Sequence, residues 1–537
     1  MLEKATVEVA FGVISIHNMP ILDAFHRRGR IRFVPARSEA GAVNMADAYA
    51  RVGARLGVAV TSTGTAAGNA AGAMLEALTA GTPLLHLTGQ IDSPYLDRDL
   101  GYLHEARDQP GMLKAVSKAA FRIDSSRQAV SILKNATLAA LTPPAGPVSV
   151  EIPIDVQQAQ SDFSGDFTPP AVELPAVPEE TLDVLAKALS RARRPLLWLG
   201  GGARHAGDAV RRLAELGFGV VTSVQGRGIV AEDQSMTLGA LNVSPAVEAF
   251  YGTCDALLVA GSRLRSNETL GYQLRLPRPL YRIDAEPKRA AHPYAADLFI
   301  HADCRTALAG LASRLRIQVD PKFAKDLAAA KAAAEAQVRA ALGPYEALVD
   351  ELQRLAGRDF VWVRDVTISN STWGNRLLRL FGPRDGVHAL GGGIGQGLAM
   401  AVGAAIASPR KRVFCLAGDG GLALNLGELG TLTQEDLEVK LVVMNDRGYG
   451  VIRNIQDAQY GARRAYVDLV TPEFAQIARA YGIAFFQAKH QRDFHGALEA
   501  AMAHRGPALV EVDMNAVGPY AAAFAGPPAR RQETHAE

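Results

Sequence analysis

Gly57-Val58-Ala59-Val60-Thr61, Pro147-Val148-Ser149-Val150-Glu151 and Ala256-Leu257-Leu258-Val259-Ala260 are short, largely apolar runs separated by stretches of helical period. A strand with no polar face must be covered on both sides, and here the cover has to come from the intervening helices. The pattern predicts α/β architecture with doubly wound, mainly parallel sheets. At 537 residues the chain is too long for one core. Two linkers divide it. The first, about residues 157–180, holds Pro169-Pro170, Pro175 and Pro178 among polar residues; the second is the stretch from Phe323 to Leu342. The latter contains Ala328-Ala329-Ala330-Lys331-Ala332-Ala333-Ala334, rich in strong helix formers but poor in large apolar side chains, and reads as a surface connector. The expected domains are residues 1–165, 180–320 and 345–525.

A net charge of +2 gives no electrostatic case for nucleic acid or an anionic membrane. No apolar run reaches the length of a membrane span, and the first residues lack the basic-then-apolar order of a secretory signal. Cys254, Cys304 and Cys415 are widely spaced with no metal or redox pattern, so reduced thiols in a cytoplasmic protein are expected.

Two glycine-rich turns invite a dinucleotide reading and fail it. From Gly200, in Leu199-Gly200-Gly201-Gly202-Ala203, the last glycine of GxGxxG falls on His205. In Gly391-Gly392-Gly393-Ile394-Gly395-Gln396-Gly397 it falls on Gln396 or Leu398. Other glycine turns carry different chemistry. Gly418-Asp419-Gly420-Gly421 follows the apolar run Arg412–Ala417, and Asp446 lies in Val442-Val443-Met444-Asn445-Asp446-Arg447-Gly448-Tyr449-Gly450. Each segment reads as a buried strand entering a turn. A glycine-flanked Asp there lets backbone N–H groups approach a phosphate while the carboxylate holds a divalent cation. Taken alone, Gly-Asp-Gly is an ordinary turn.

The pair resembles the cofactor motif of the thiamine diphosphate (ThDP) enzymes, which opens with Gly-Asp-Gly and closes on Asn-Asn. Here the closing pair is Asn445-Asp446, so Asp446 replaces the metal-binding Asn, with Asn445 as the other candidate ligand. The resemblance spans all three blocks. Arg37-Ser38-Glu39-Ala40-Gly41 through Arg51 reads as a helix with Ser38 as N-cap, and is similar to the family segment bearing a catalytic Glu, at Glu39. Thr61-Ser62-Thr63-Gly64 resembles a turn beside the active site, and Pro83 to Gln90 the strand after it.

The resemblance implies pyrimidine-binding, central and diphosphate-binding domains. In the family the Glu hydrogen-bonds the pyrimidine nitrogen and shifts the exocyclic amine to its imine, which deprotonates the thiazolium carbon. By the same correspondence Gly392, Gly393 and Ile394 grip the aminopyrimidine, with Ile394 wedged between the rings. Mg2+ falls to Asp419, Asp446 and the Gly448 carbonyl. Gly418, Gly420 and Gly421 form the diphosphate turn, with Asn370 and Ser371 as further candidates and Tyr449-Gly450 closing the motif. Ser62 and Gln90 are implied cofactor contacts. Such enzymes place the Glu and the diphosphate site on different subunits, which implies a homodimer or homotetramer.

The implied chemistry is attack on a 2-oxo acid, loss of carbon dioxide and an enamine that is protonated to an aldehyde or added to a second carbonyl. Glu39 argues against glyoxylate carboligase. Ile455 stands where acetolactate synthases carry Trp, and their flavin segment is not recognisable in residues 261–269, so FAD looks dispensable. The first block is closer to benzoylformate decarboxylase, but that enzyme's proton-relaying His aligns with Ser62 and its substrate-orienting Ser with Ile16. His17, His104 and His388 are the candidate acid/base groups, each able to be a hydrogen-bonded structural His instead. Two alternatives stand beside this reading: an FAD-containing acetolactate synthase large subunit and a non-catalytic ThDP- or nucleotide-binding regulator.

Overall fold

The computed structural model describes residues 1–160, 163, 165–174 and 177–528, so Pro175 of the first linker lies outside the described residues. Among the described residues three sheets form, and every strand pair within them is parallel. The first holds β1 (Val9–Gly12), β2 (Arg32–Pro35), β3 (Gly57–Thr61), β4 (Leu84–Gln90), β5 (Ala119–Arg122) and β6 (Pro147–Pro153) in the order β2-β1-β3-β4-β6-β5. The second holds β7 (Pro195–Leu199), β8 (Gly219–Thr222), β9 (Ala256–Ala260), β10 (Leu280–Asp284) and β11 (Leu298–His301), ordered β11-β10-β9-β7-β8. The third holds β12 (Phe360–Arg364), β13 (Gly386–His388), β14 (Arg412–Gly418), β15 (Val439–Asn445), β16 (Ala484–Ala488) and β17 (Ala508–Asp513), ordered β13-β12-β14-β15-β17-β16. The first and third sheets therefore share one strand order. The doubly wound, three-sheet α/β expectation holds, and no helix among the described residues is long and apolar enough to cross a membrane.

The two like-ordered sheets meet through equivalent helices. Glu39–Gly53, between β2 and β3, packs against Gly397–Ala407, between β13 and β14. Both are buried nearly all round, and their side chains belong to one apolar cluster that runs from Val43, Met45 and Tyr49 through Leu398 and Val402 to Val413. Small residues permit the close approach. A Cβ on Gly403 would run into the Met45 carbonyl. Gly403→Ala is therefore expected to cost about 1–3 kcal/mol, as overpacking typically does, measured as a lower denaturant midpoint.

One sequence expectation needs correcting. The helix Phe323–Ala340 is not a bare connector: it buries Phe323, Leu327, Ala330 and Ala334, and Phe323 stacks on Phe250 at 5.5 Å. Two large apolar residues at helical spacing, extended by alanines, suffice to seat it on the central core.

Candidate functional site

The Gly418–Gly421 segment is the point where β14 passes directly into the short helix Asp419–Leu424, without an intervening loop. Asp419 is buried, and its Oδ1 and Oδ2 accept the backbone N–H groups of Asp446 and Gly448 at 3.3 and 3.0 Å. Asp446 follows the last residue of the neighbouring strand β15, and its carboxyl faces that of Asp419. Burial first, and then the Asp446 charge, push the Asp419 carboxyl up to about 7. Burial also raises Asp446, while Arg453, 3.6 Å from its Oδ2, draws it back. One buried and one half-buried carboxyl side by side form an oxygen donor set suited to a small divalent cation. Arg453, which also bonds the Asp446 carbonyl and Asp468, supplies the positive charge that offsets an Asp where the family has Asn. Asn445, the other sequence candidate, donates from Nδ2 to Glu511 at 2.6 Å and is committed elsewhere.

The loop of residues 391–395 lies beside this turn. Asn425 Nδ2 donates to the Gly395 carbonyl at 2.5 Å, and Asp365 at the end of β12 accepts the Gly395 N–H at 3.0 Å. Burial pushes Asp365 up to about 6. Gly392 has φ +87°, and a Cβ there would enter open space; Gly395 has φ +84°. Both are backbone positions that only glycine adopts cheaply; Gly392 leaves the surface beside it clear for a flat ring, whereas Gly395 packs against the Gly421 carbonyl and Leu424. Ile394 is exposed next to them. Gly420 sits under the Tyr449 ring, and Gly450 opens the helix Gly450–Gln459 where a Cβ would strike the Asp446 carboxylate. Asn370 begins a single wide turn, with Asn375 N–H bonded to its carbonyl. Its buried Oδ1 has no partner among the described residues, while its Nδ2 meets His388 Nδ1 at 3.4 Å. Ser371 follows in the same turn. Oxygen donors, glycine turns that bring backbone N–H groups close, and the open position at Gly392 together fit a metal-bound diphosphate joined to an aromatic ring.

The opening domain contributes a second group. Ser38 caps its helix by accepting the Gly41 N–H at 2.9 Å, as its sequence position predicts. Glu39 is half-buried, and its Oε2 accepts from Asn69 at 3.1 Å. His17 and His104 come together edge to face with ring centres 5.2 Å apart. His17 is buried, its Nδ1 lacks a partner among the described residues, and burial holds it below its ordinary pKa, so it is a neutral imidazole. His104 adopts φ +68°. Glycines at both contacts, Gly89 against the His17 carbonyl and Gly64 against that of His104, allow these loops to sit on the strand ends. Ser62 bonds Ser15 at 2.5 Å. Gln90 is spent in a buried network with Thr63 at 2.8 Å and Glu151 at 3.3 Å. His388 ends β13, away from the His17–His104 pair in the sequence and in another sheet, and burial with the Arg364 charge keeps it neutral.

Family models match all three blocks: the thiamine pyrophosphate enzyme N-terminal TPP binding domain over residues 1–112, the central domain over 182–311 and the C-terminal TPP binding domain over 367–512. A probable 2-ketoarginine decarboxylase from Pseudomonas aeruginosa is 31% identical across 95% of this chain and 92% of its own length. The chain belongs to the thiamine diphosphate enzymes. This ThDP enzyme is also 28% identical to the acetolactate synthase large subunit of Parasynechococcus marenigrum, across 95% of the chain and 86% of the relative, and 28% identical to an acetolactate synthase of Mycobacterium bovis. Sequence reading missed Asp365, Asn425 and Arg453, which bond to the candidate site's loops from beside the motifs. Only Asp365 left a signal, as an acid at the end of a strand of buried residues.

Proposed function

We propose that this ThDP enzyme is a magnesium-dependent 2-oxo acid decarboxylase or carboligase, with domains at residues 1–165, 180–320 and 345–525. The observation that carries the reading is the facing Asp419–Asp446 pair beside the glycine-rich loop of residues 391–395, open at Gly392. Asp419, Asp446 and the Gly448 carbonyl hold Mg2+; the Gly420 and Gly421 amides, with Asn370 and Ser371, meet the diphosphate; Gly392, Gly393 and Ile394 receive the pyrimidine. When bound, thiamine diphosphate supplies a carbanion nucleophile at its thiazolium carbon. Glu39 holds a proton at a carboxyl oxygen toward a pyrimidine nitrogen. His17, neutral and with a free Nδ1, moves a proton at the substrate carbonyl with His104 against its ring.

A shared site in a homodimer or homotetramer is supported by apolar side chains left bare in one chain. Ile14, Ile16 and Leu103 of the opening domain, and Ile394, Leu424 and Val470 of the closing one, are all exposed. Surfaces of this kind mark association faces. Free Cys254, Cys304 and Cys415 suit a reducing cytoplasm.

The alternative of an FAD-containing acetolactate synthase has one observation in its favour. A cavity of about 700 Å³ lies between the opening and central domains, lined by Gly200–Gly202, Arg204, Arg263 and Arg265. Stoichiometric flavin absorbance in the purified protein would select that reading; its lack would leave the flavin-free one. The reaction itself is tested by offering pyruvate, 2-oxobutyrate, benzoylformate, oxaloacetate and 2-ketoarginine, and measuring carbon dioxide and products. Release of carbon dioxide from at least one is expected, and release from none would remove the proposal.

Asp446→Asn exchanges a carboxylate oxygen for the family's usual amide oxygen and removes one of two adjacent carboxyls. It is expected to keep Mg2+–ThDP affinity within about tenfold of the wild type, measured by calorimetry, because the amide oxygen remains a hard donor.

A further inference from the structure

Two buried carboxylates outside the proposed cofactor contacts occupy equivalent places in the two like-ordered sheets. Glu76 lies on the helix Thr65–Ala80 between β3 and β4; Glu428 opens the helix Glu428–Gln434 between β14 and β15. Each reaches into the other domain and takes backbone N–H groups just before a helix. Glu428 accepts the Arg37 N–H at 3.1 and 3.2 Å through its two oxygens, and Oε1 accepts from Ser38 Oγ at 3.1 Å. Thr431 Oγ1 donates to Oε2 at 2.8 Å. In mirror fashion, Glu76 accepts the Leu390 and Gly391 N–H groups, both at 2.5 Å, with Arg51 3.7 Å away. Glycine stands where a side chain would strike each carboxylate, Gly41 against Glu428 and Gly391 against Glu76.

We propose that Glu76 and Glu428 are positioning residues, a reciprocal pair of interdomain clamps: Glu428 sets the start of the helix carrying Glu39, and Glu76 sets the loop carrying Gly392 and Ile394. The proposal rests on the roles assigned above to Glu39 and that loop. Neither carboxylate is among the proposed cofactor contacts. Charge-assisted bonds to backbone N–H groups fix orientation more firmly than neutral ones. Small errors in placing a reacting group cost rate far more than they cost stability. The two clamps span the helix pair Glu39–Gly53 and Gly397–Ala407, so each domain orders the other's contribution to a site.

The test uses Glu428→Gln and Glu76→Gln in the full-length protein, with amide hydrogen exchange on the cofactor-free form, and kcat and Mg2+–ThDP affinity on the loaded one. Glu428→Gln is expected to speed exchange at Arg37 selectively and lower kcat by about 10–100-fold with cofactor affinity unchanged. Glu76→Gln is expected to speed exchange at Leu390 and Gly391 and weaken cofactor affinity. In a Glu39→Gln background, Glu428→Gln should cost no further turnover. Thr431→Val and Gly391→Ala perturb the same two carboxylates and should reproduce these effects in weaker form should either Gln variant fail to fold. Unchanged exchange at these amides, a uniform rise in exchange across the chain, or an equal loss of kcat with and without Glu39 overturns the clamps. Full turnover of Glu39→Gln alone overturns the role of Glu39 instead, and the exchange results at Arg37, Leu390 and Gly391 then decide the clamps.

Discussion

Glu39→Gln is expected to lower turnover by about 10²–10⁴-fold, the range for removing acid–base assistance, while Mg2+–ThDP binding stays intact. The separation follows from where the group sits. Glu39 stands at the first turn of a helix in the opening domain, half-buried with its side chain bonded to Asn69, whereas every proposed metal and diphosphate contact lies in the closing domain. Gln keeps the shape and one acceptor oxygen but cannot carry the proton that the pyrimidine nitrogen requires. Stopped turnover with unchanged calorimetric affinity would match the account. Unchanged turnover would take Glu39 out of the chemistry.

Asp419→Ala is expected to remove the cofactor. Replacing a residue that only orients a metal ligand typically costs about 10–100-fold in affinity, and loss of a ligand itself exceeds that. In the wild type, cofactor binding to the folded form alone should raise the melting temperature, since ligand at about 100 times its Kd adds about 2.7 kcal/mol. Asp419→Ala should show no such rise. The rise is read against each protein's own cofactor-free form, because the substitution removes one of two facing carboxyls and also leaves the Asp446 and Gly448 N–H groups without their acceptor. A melting temperature that still climbs with Mg2+ and ThDP in this variant would place the metal elsewhere.

The parts of this molecule that were legible in the sequence are those set by neighbours along the chain. Ser38 as N-cap depends on Gly41, three residues on, and the β14 strand entering Gly-Asp-Gly is a continuous apolar run. The contact that favours Asp446 over Asn445 as the proposed ligand was not legible, because Glu511 holds the Asn445 side chain from a neighbouring strand. The contact between Glu428 and Arg37 joins residues 391 positions apart and has no local trace. Gln90, assigned to the cofactor from its motif, is consumed by Thr63 and Glu151, a competition visible only once β3, β4 and β6 are aligned. The substrate end is least legible, since His17 and His104 sit on loops whose placement depends on Gly89 and Gly64 and on apolar faces that a single chain leaves bare.

The most direct test of the central claim, that Glu39 of one subunit serves a cofactor held by Asp419 of another, is complementation between two inactive variants. Glu39→Gln and Asp419→Ala chains, carrying different tags, are co-expressed and the mixed dimer is isolated. Two-fold symmetry gives such a dimer one site with both residues intact and one with neither, so about half the wild-type activity per dimer is expected. A mixed dimer as inactive as either parent would contradict the account.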